Sequence, residues 1–180
     1  SHRSTTMNRR RILSVFGAVA LLTAGAVMFT NARAAGAAAV ESVGRPAPAW
    51  RLKDLDGREV SSEQFKGKVV VVDFWATWCG PCVEEIPGYI ALQKKYGPAG
   101  LVIVGVSLDR RGPAQVKQFA QARGMNYTLV MGDEAVVEAF GDFQAIPTTF
   151  LISREGRILH QKTGALPPAE YEKLVQAALR

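Results

Sequence analysis

Two continuous apolar runs in the middle of the chain predict the centre of a β-sheet. Residues 69–76 read VVVVDFWA and residues 101–109 read LVIVGVSLD, and β-branched side chains dominate both. Strands that are apolar on both faces are typical of a parallel sheet with helices on its two sides. A third, shorter strand is predicted over 127–133. We therefore expect a sheet buried between helical layers.

Helices and hairpins are predicted around these strands. The helices run from the cysteines to Tyr96, over 112–124, over 134–140 and from Pro167 to the end, and prolines mark two of the starts. One hairpin turns at 56–57, and the other turns at REG (154–156) between TTFLIS and RILHQKTG. This order predicts an α/β fold with a mixed central β-sheet flanked by helices, and it indicates no function by itself.

The first 45 residues differ from the rest in composition. Met7 is the expected start, with residues 1–6 a cloning remnant or an over-long start. Three arginines follow it, then an apolar run over 12–30 and the small-residue pattern Ala32-x-Ala34. This order is typical of a signal peptide or a membrane anchor over 7–34, after which the chain is exported. We predict a linker over 35–45 and the folded domain over 46–180.

The net charge of +6 is concentrated in this leader. Residues 1–45 contain six arginines and one acidic residue, Glu41, so only +1 belongs to the remaining residues. A nearly neutral domain lacks the electrostatic footprint of nucleic-acid binding. We therefore expect no nucleic-acid partner. The sequence has no heptad repeats and no apolar surface stripe that would require a dimer, so we expect a monomer.

The two cysteines of the chain follow the first apolar strand. Cys79 and Cys82 enclose Gly80 and Pro81 at the predicted start of a helix. The unpaired N–H groups and the dipole of a helix start favour an anion such as a thiolate, and a proline fits the first helical turn. We therefore favour a redox pair in which Cys79 is the exposed, attacking thiolate and Cys82 is the more buried, resolving cysteine.

Two other interpretations of the cysteine pair stay open at this point. A static disulfide is one, although so short a loop constrains the unfolded chain little. A zinc site is the other, although structural zinc takes about four ligands and the chain offers only His2 and His160 besides the cysteines. We expect His160 on the surface of a strand.

The segment VVVVDFWATWCGPC (69–82) resembles the active site of the thioredoxin superfamily. Three features resemble its exported TlpA/ResA/DsbE-like branch. They are the N-terminal hairpin with the segment that leads into and includes the first apolar strand (46–79), the pattern Cys-x-x-Glu-x-Pro at 82–87, and IPTTFLISREGRI at 146–158. The resemblance covers roughly Gly44 to Arg180. It implies a thioredoxin-like fold with an N-terminal β-hairpin and a central insertion, and no cofactor or metal.

The resemblance also implies roles for single residues. Cys79 would attack a client disulfide, Cys82 would resolve the mixed disulfide, and Pro147 would be a cis proline lying against the pair. Glu85 follows Cys82 by one helical turn and is expected to exchange a proton with its thiol, unless it is simply solvated. Asp73, inside the buried strand, is expected to stay protonated and act as a proton relay, unless it reaches a polar gap.

Four neighbours of the cysteines are expected to have structural roles. Trp75 is predicted in the core and Trp78 at the rim beside Cys79. Glu84 is expected to be a solvated carboxylate, and Pro87 to kink the helix.

The expected function is that of an exported thiol–disulfide oxidoreductase. It would reduce disulfides in client proteins, apocytochrome c among the candidates, and a membrane electron donor would reduce it again. We expect it in the periplasm, either soluble after leader cleavage or anchored by residues 12–30. Two alternatives are a peroxiredoxin-like peroxidase, whose Pro and Thr positions are not matched here, and a non-enzymatic partner-binding module. The Gly-Pro dipeptide between the cysteines does not identify a client.

Overall fold

The computed structural model describes residues 43–141 and 143–180. Within them, seven strands and four α-helices follow one another. In chain order they are β1 (Arg51–Asp54), β2 (Glu59–Ser61), β3 (Val69–Trp75), α1 (Gly80–Tyr96), β4 (Leu101–Ser107), α2 (Pro113–Arg123), β5 (Thr128–Met131), α3 (Glu134–Ala139), β6 (Thr148–Ile152), β7 (Ile158–Thr163) and α4 (Pro168–Leu179).

The strands form one mixed sheet in the order β2-β1-β5-β4-β3-β6-β7. The two predicted apolar runs become β3 and β4, which pair in parallel, and β5 continues the parallel set beside β4. The two hairpins add antiparallel strands at either side: β1 joins β5, and β6 joins β3. The predicted mixed α/β sheet is therefore confirmed. Between β4 and β6 the chain forms α2, β5 and α3.

The two faces of β3 contact different helices. Val72 and Phe74 pack with Phe140 at the end of α3. Val69 and Val71 pack with side chains of α1 and α4, and Trp75 packs with side chains of α1 and α2. Because side chains alternate along a strand, Asp73 lies on the same face as Val71 and Trp75. A carboxyl group is thereby placed under the helix that carries the cysteines.

Several element bounds differ from the prediction. β4 ends at Ser107 rather than 109, because Asp109 turns its side chain back to hydrogen bond the loop after β3. Residues 62–65 form a 3-10 helix that the sequence did not predict. α1 runs from Gly80 to Tyr96 with Pro87 inside it.

The residues just before the predicted domain contact β7. Gly44 and Arg45, assigned to the linker, are hydrogen bonded to Ile158 at the start of β7. The predicted leader and the linker up to residue 42 lie outside the described residues. None of the described helices is long and apolar enough to cross a bilayer.

Candidate active site

The cysteine pair lies at the start of α1. Cys79 is the N-cap residue, and its Sγ accepts a hydrogen bond from the backbone N–H of Cys82 at 3.3 Å. Gly80 and Pro81 occupy the first helical turn, as predicted, where a missing N–H leaves no helical bond unmade. The two sulfur atoms are bonded to each other at 2.04 Å. The structure therefore shows the oxidised form of the pair.

Both cysteines are buried, which corrects the expectation of an exposed Cys79. The exposed fraction is 6% for Cys79 and 2% for Cys82, so the order is as predicted but the difference is small. Cys79 is covered by the loop before β6, because its Sγ lies 3.7 Å from the carbonyl oxygen of Ile146. Trp78 is 71% exposed and forms the rim, and Trp75 is in the core.

The loop that covers Cys79 contains the proline singled out in the sequence. The Ile146–Pro147 peptide bond is cis, as the resemblance implied. The carbonyl oxygen of Pro147 accepts a hydrogen bond from the N–H of Gly164 at 2.8 Å, and the hydroxyl of Thr148 donates to the carbonyl oxygen of Ala145 at 2.8 Å. These bonds hold the loop against the cysteines.

Asp109 fixes the loop on the other side of Cys79. Its carboxylate accepts hydrogen bonds from the backbone N–H of Thr77 at 2.9 Å, from the hydroxyl of Thr77 at 2.6 Å and from the hydroxyl of Ser107 at 2.8 Å. The sequence analysis missed this residue. Its position just after a buried strand was the only signal, and Thr77 is 32 residues away in the chain.

Asp73 is a buried carboxyl group in β3. It is 3% exposed, and its Oδ1 accepts one hydrogen bond, from the hydroxyl of Thr149 at 3.3 Å. Burial raises the pKa of Asp73 to about 8, the negative charge of Glu85 adds to this, and the bond from Thr149 opposes it. Asp73 is therefore largely protonated near neutral pH, as a proton relay requires.

Glu85 is half-buried between α1 and the loop before α4. Its Oε1 accepts a hydrogen bond from the N–H of Leu166 at 2.9 Å. Burial raises the pKa of Glu85, and this bond and the charge of Lys162 partly oppose the effect. Glu85 is thus not an ordinary solvated carboxylate, whereas Glu84 is exposed as predicted.

Two tyrosines complete a polar cluster around these carboxyl groups, and the sequence analysis missed both. The hydroxyl of Tyr89 lies 3.3 Å from that of Thr149, which in turn donates to Asp73. The rings of Tyr89 and Tyr171 meet edge to face at 5.8 Å. Burial raises the pKa of both phenols well above their ordinary value. Both fall within predicted helices, from which a hydroxyl contact cannot be deduced.

His160 lies apart from this cluster, in β7 opposite Leu151. It is half-buried rather than on the surface, and burial and the charge of Lys162 lower the pKa of its imidazole. Within residues 43–141 and 143–180, no three His, Cys, Asp or Glu side chains are grouped to hold a metal ion.

The chain is similar to known proteins over the whole of this domain. The Redoxin family model matches residues 42–177. The chain is 35% identical over 164 residues to the thiol-disulfide oxidoreductase ResA of Bacillus subtilis (strain 168), and the match covers 89% of each protein. It is 32% identical over 131 residues to the thioredoxin-like protein YneN of the same organism, covering 72% of this chain and 76% of that one.

A solved structure agrees with these relatives. The crystal structure of a thiol:disulfide interchange protein of the thioredoxin family from Chlorobium tepidum TLS superposes with a TM-score of 0.71 at 31% identity, covering 76% of this chain and 97% of that one. The chain therefore belongs to the Redoxin family of the thioredoxin superfamily. Within it, the chain is a ResA/DsbE-like thiol–disulfide oxidoreductase whose redox pair is Cys79 and Cys82.

Proposed function

We propose that this enzyme reduces disulfides in exported client proteins, with apocytochrome c among the candidates, and that a membrane electron donor returns it to the dithiol form. The observation that carries the proposal is the position of the bonded Cys79–Cys82 pair, at a helix start beside the Pro147 loop. Export rests on the arginines and the apolar run at the N-terminus. The names of the relatives support the chemistry but do not identify a client.

The reaction transfers two electrons from the dithiol to the client. The Cys79 thiolate attacks one sulfur of the client disulfide, so that a mixed disulfide forms and the other client sulfur leaves as a thiolate. The Cys82 thiolate then attacks Cys79, and the second client sulfur leaves. The enzyme ends with the Cys79–Cys82 bond seen in the structure, and the client ends with two thiols once its thiolates take up protons.

Two carboxyl groups manage the proton of Cys82 in this scheme. Cys82 must lose a proton before it attacks, and it regains one when the donor reduces the disulfide. Glu85 lies one helical turn beyond Cys82 on α1, and Asp73 lies under α1 on β3. We assign Glu85 as the group that exchanges this proton and Asp73 as the buried acid that holds a further one.

The test is a single-turnover reaction between the reduced enzyme and a peptide that contains one disulfide. The mixture is quenched with acid at successive times, and each species is weighed by mass spectrometry. We expect no peptide reduction by Cys79→Ser and a trapped mixed disulfide with Cys82→Ala. We expect Glu85→Gln to slow peptide release, and Glu84→Gln, one position away and exposed, to leave it unchanged. Peptide reduction by Cys79→Ser would overturn the proposal.

A further inference from the structure

A small cleft lies between α1 and α4, beside the carboxyl group of Glu85. Its volume of about 10 Å³, measured as space open to the centre of a water molecule, is close to the least that holds one water. Its lining residues are Glu85, Gly88, Tyr89, Leu92, Leu166, Pro168 and Tyr171.

Two buried polar atoms belong to residues that line this cleft. Glu85 Oε2 and the hydroxyl oxygen of Tyr171 each lack a hydrogen-bonding partner among the described residues. Tyr171 is only 4% exposed, so bulk solvent does not solvate its hydroxyl. A buried polar group without a partner is unfavourable, and one water that bridges a carboxylate oxygen and a phenol satisfies both.

The cleft also leads to the surface. Gly88 and Leu166 in its wall are half-buried, and Pro168 is exposed. Cys82, at the start of the same helix, is 2% exposed. A proton on Glu85 therefore has an exit through the α1–α4 cleft that does not pass the covered cysteine pair.

We propose that the cleft binds a water molecule that carries protons between Glu85 and solvent, and that Tyr171 is the positioning residue that holds this water. The proposal rests on the proposed function, in which Glu85 receives the proton of Cys82. In the release step Cys82 gives its proton to the Glu85 carboxylate. Glu85 then passes a proton to the water, and the water passes one of its own to the bulk.

The surroundings of Tyr171 suit this role. Burial and the negative charges of Asp73 and Glu85 raise the pKa of its phenol well above the ordinary value, so the hydroxyl stays protonated and can donate to the water oxygen. The titratable and charged groups around Glu85 and Tyr171 are Asp73 on β3, Tyr89 on α1, Tyr127 before β5 and Lys162 on β7.

Two variants disturb the water in different ways. Tyr171→Phe removes the hydroxyl that holds it. Gly88→Ala fills the cleft without removing a polar group, because a Cβ at Gly88 would lie 3.5 Å from the Cβ of Pro168, an ordinary contact. Alanine also favours a helix over glycine, so this variant keeps the fold. Tyr96→Phe is the matched control, since its hydroxyl bonds Glu172 at 2.6 Å outside the cleft.

The measurement is the rate of peptide release from the mixed disulfide as a function of pH, in H₂O and in D₂O. We expect Tyr171→Phe and Gly88→Ala each to slow release about tenfold. This is less than the roughly 100- to 10,000-fold loss of rate that removal of a whole acid–base group usually causes. Losing a hydrogen bond to the ionised carboxylate raises the pKa of Glu85, so the midpoint of the profile moves to higher pH. The solvent isotope effect increases in both variants as proton transfer becomes limiting.

The outcomes separate this inference from the proposed function. If Glu85→Gln slows release but Tyr171→Phe and Gly88→Ala match Tyr96→Phe in rate, midpoint and isotope effect, the water relay is wrong and the role of Glu85 stands. If Glu85→Gln leaves release unchanged, the assignment of Glu85 fails. A melting temperature of Gly88→Ala equal to or above that of the unchanged protein excludes unfolding as the reason for slow release.

Discussion

Asp73 is a carboxyl group that the folded chain holds in its neutral form. The ordinary pKa of 3.8 applies when the chain is unfolded, and burial raises the pKa of Asp73 to about 8 in the folded state. Between these two values the folded protein binds one more proton than the unfolded chain. The contribution of Asp73 to the free energy of unfolding is therefore most favourable below pH ~4. It falls as the pH rises and reaches its lowest value above pH ~8.

We predict that Asp73→Asn removes this pH dependence. One proton corresponds to a slope of at most about 1.4 kcal/mol per pH unit in the free energy of unfolding. Urea denaturation of the oxidised protein from pH 4 to pH 9 should show this fall for the unchanged protein and a flatter profile for the variant. The variant should be the more stable of the two at pH 9. Glu84→Gln, at an exposed position, is the control. Equal slopes for the unchanged protein and for Asp73→Asn would show that Asp73 is ionised in the folded protein over this whole pH range.

The second prediction at the scale of residues concerns the hydrogen bonds from Thr77 to the carboxylate of Asp109, which we call the Asp109 clamp. Thr77→Val removes the hydroxyl that donates to Asp109 at 2.6 Å and keeps the shape of the side chain. Because a bond to a charged group contributes about 1.5–3 kcal/mol, we expect a loss of about 2 kcal/mol in the free energy of unfolding. Thr128→Val, the same change on β5 outside this network, serves as the control. Equal urea midpoints for the two variants would contradict the clamp.

At the scale of elements, α1 places both cysteines and Glu85, and it contains two prolines with different consequences. Pro81 lies in the first turn, where its missing N–H has no helical partner, whereas Pro87 is in the helix interior and exposed. An interior proline removes a backbone hydrogen bond and costs about 3 kcal/mol of helix stability in a regular helix.

We predict that Pro87→Ala raises the free energy of unfolding by about 1–3 kcal/mol and that Pro81→Ala changes it by much less. Thermal unfolding of the oxidised protein, followed by far-ultraviolet circular dichroism, measures both. A drop in melting temperature for Pro87→Ala would mean that the packing of Ile86 and Tyr89, both buried on α1, depends on the helix geometry that Pro87 imposes.

The strands and helices around the site were largely predictable because their signals are local. The β3 run is apolar at almost every position, and the pattern at 79–82 places a helix start where Pro81 fits. The polar cluster was only half predictable. Asp73 and Glu85 were visible as charges in unusual places, whereas their contacts with Thr149 and Leu166 join residues 76 and 81 positions apart. The burial of Cys79 depends in the same way on Ile146, 67 residues later.

At the scale of the whole molecule, the fold brings ionisable side chains from different elements to the helix that carries the cysteine pair. A strongly oxidising pair has a stabilised reduced form, in which one cysteine is a thiolate. Here β3 and α1 place the buried carboxyl group of Asp73 and the half-buried one of Glu85 on the face of the sheet that α1 covers. Asp73 is largely neutral near pH 7, so the negative charge of ionised Glu85 is the one that disfavours a nearby thiolate and with it the reduced form.

We therefore predict a reduction potential for Cys79–Cys82 near the thioredoxin value of about −270 mV, rather than the value of about −120 mV of a strong periplasmic oxidant. Equilibration with dithiothreitol and glutathione buffers at pH 7, with both redox forms counted after alkylation, measures it. Glu85→Gln removes this negative charge, so its potential should be less negative, while Glu84→Gln should match the unchanged protein. A potential near −120 mV would reverse the assignment, because a pair that holds electrons so firmly would form disulfides in its clients instead of reducing them.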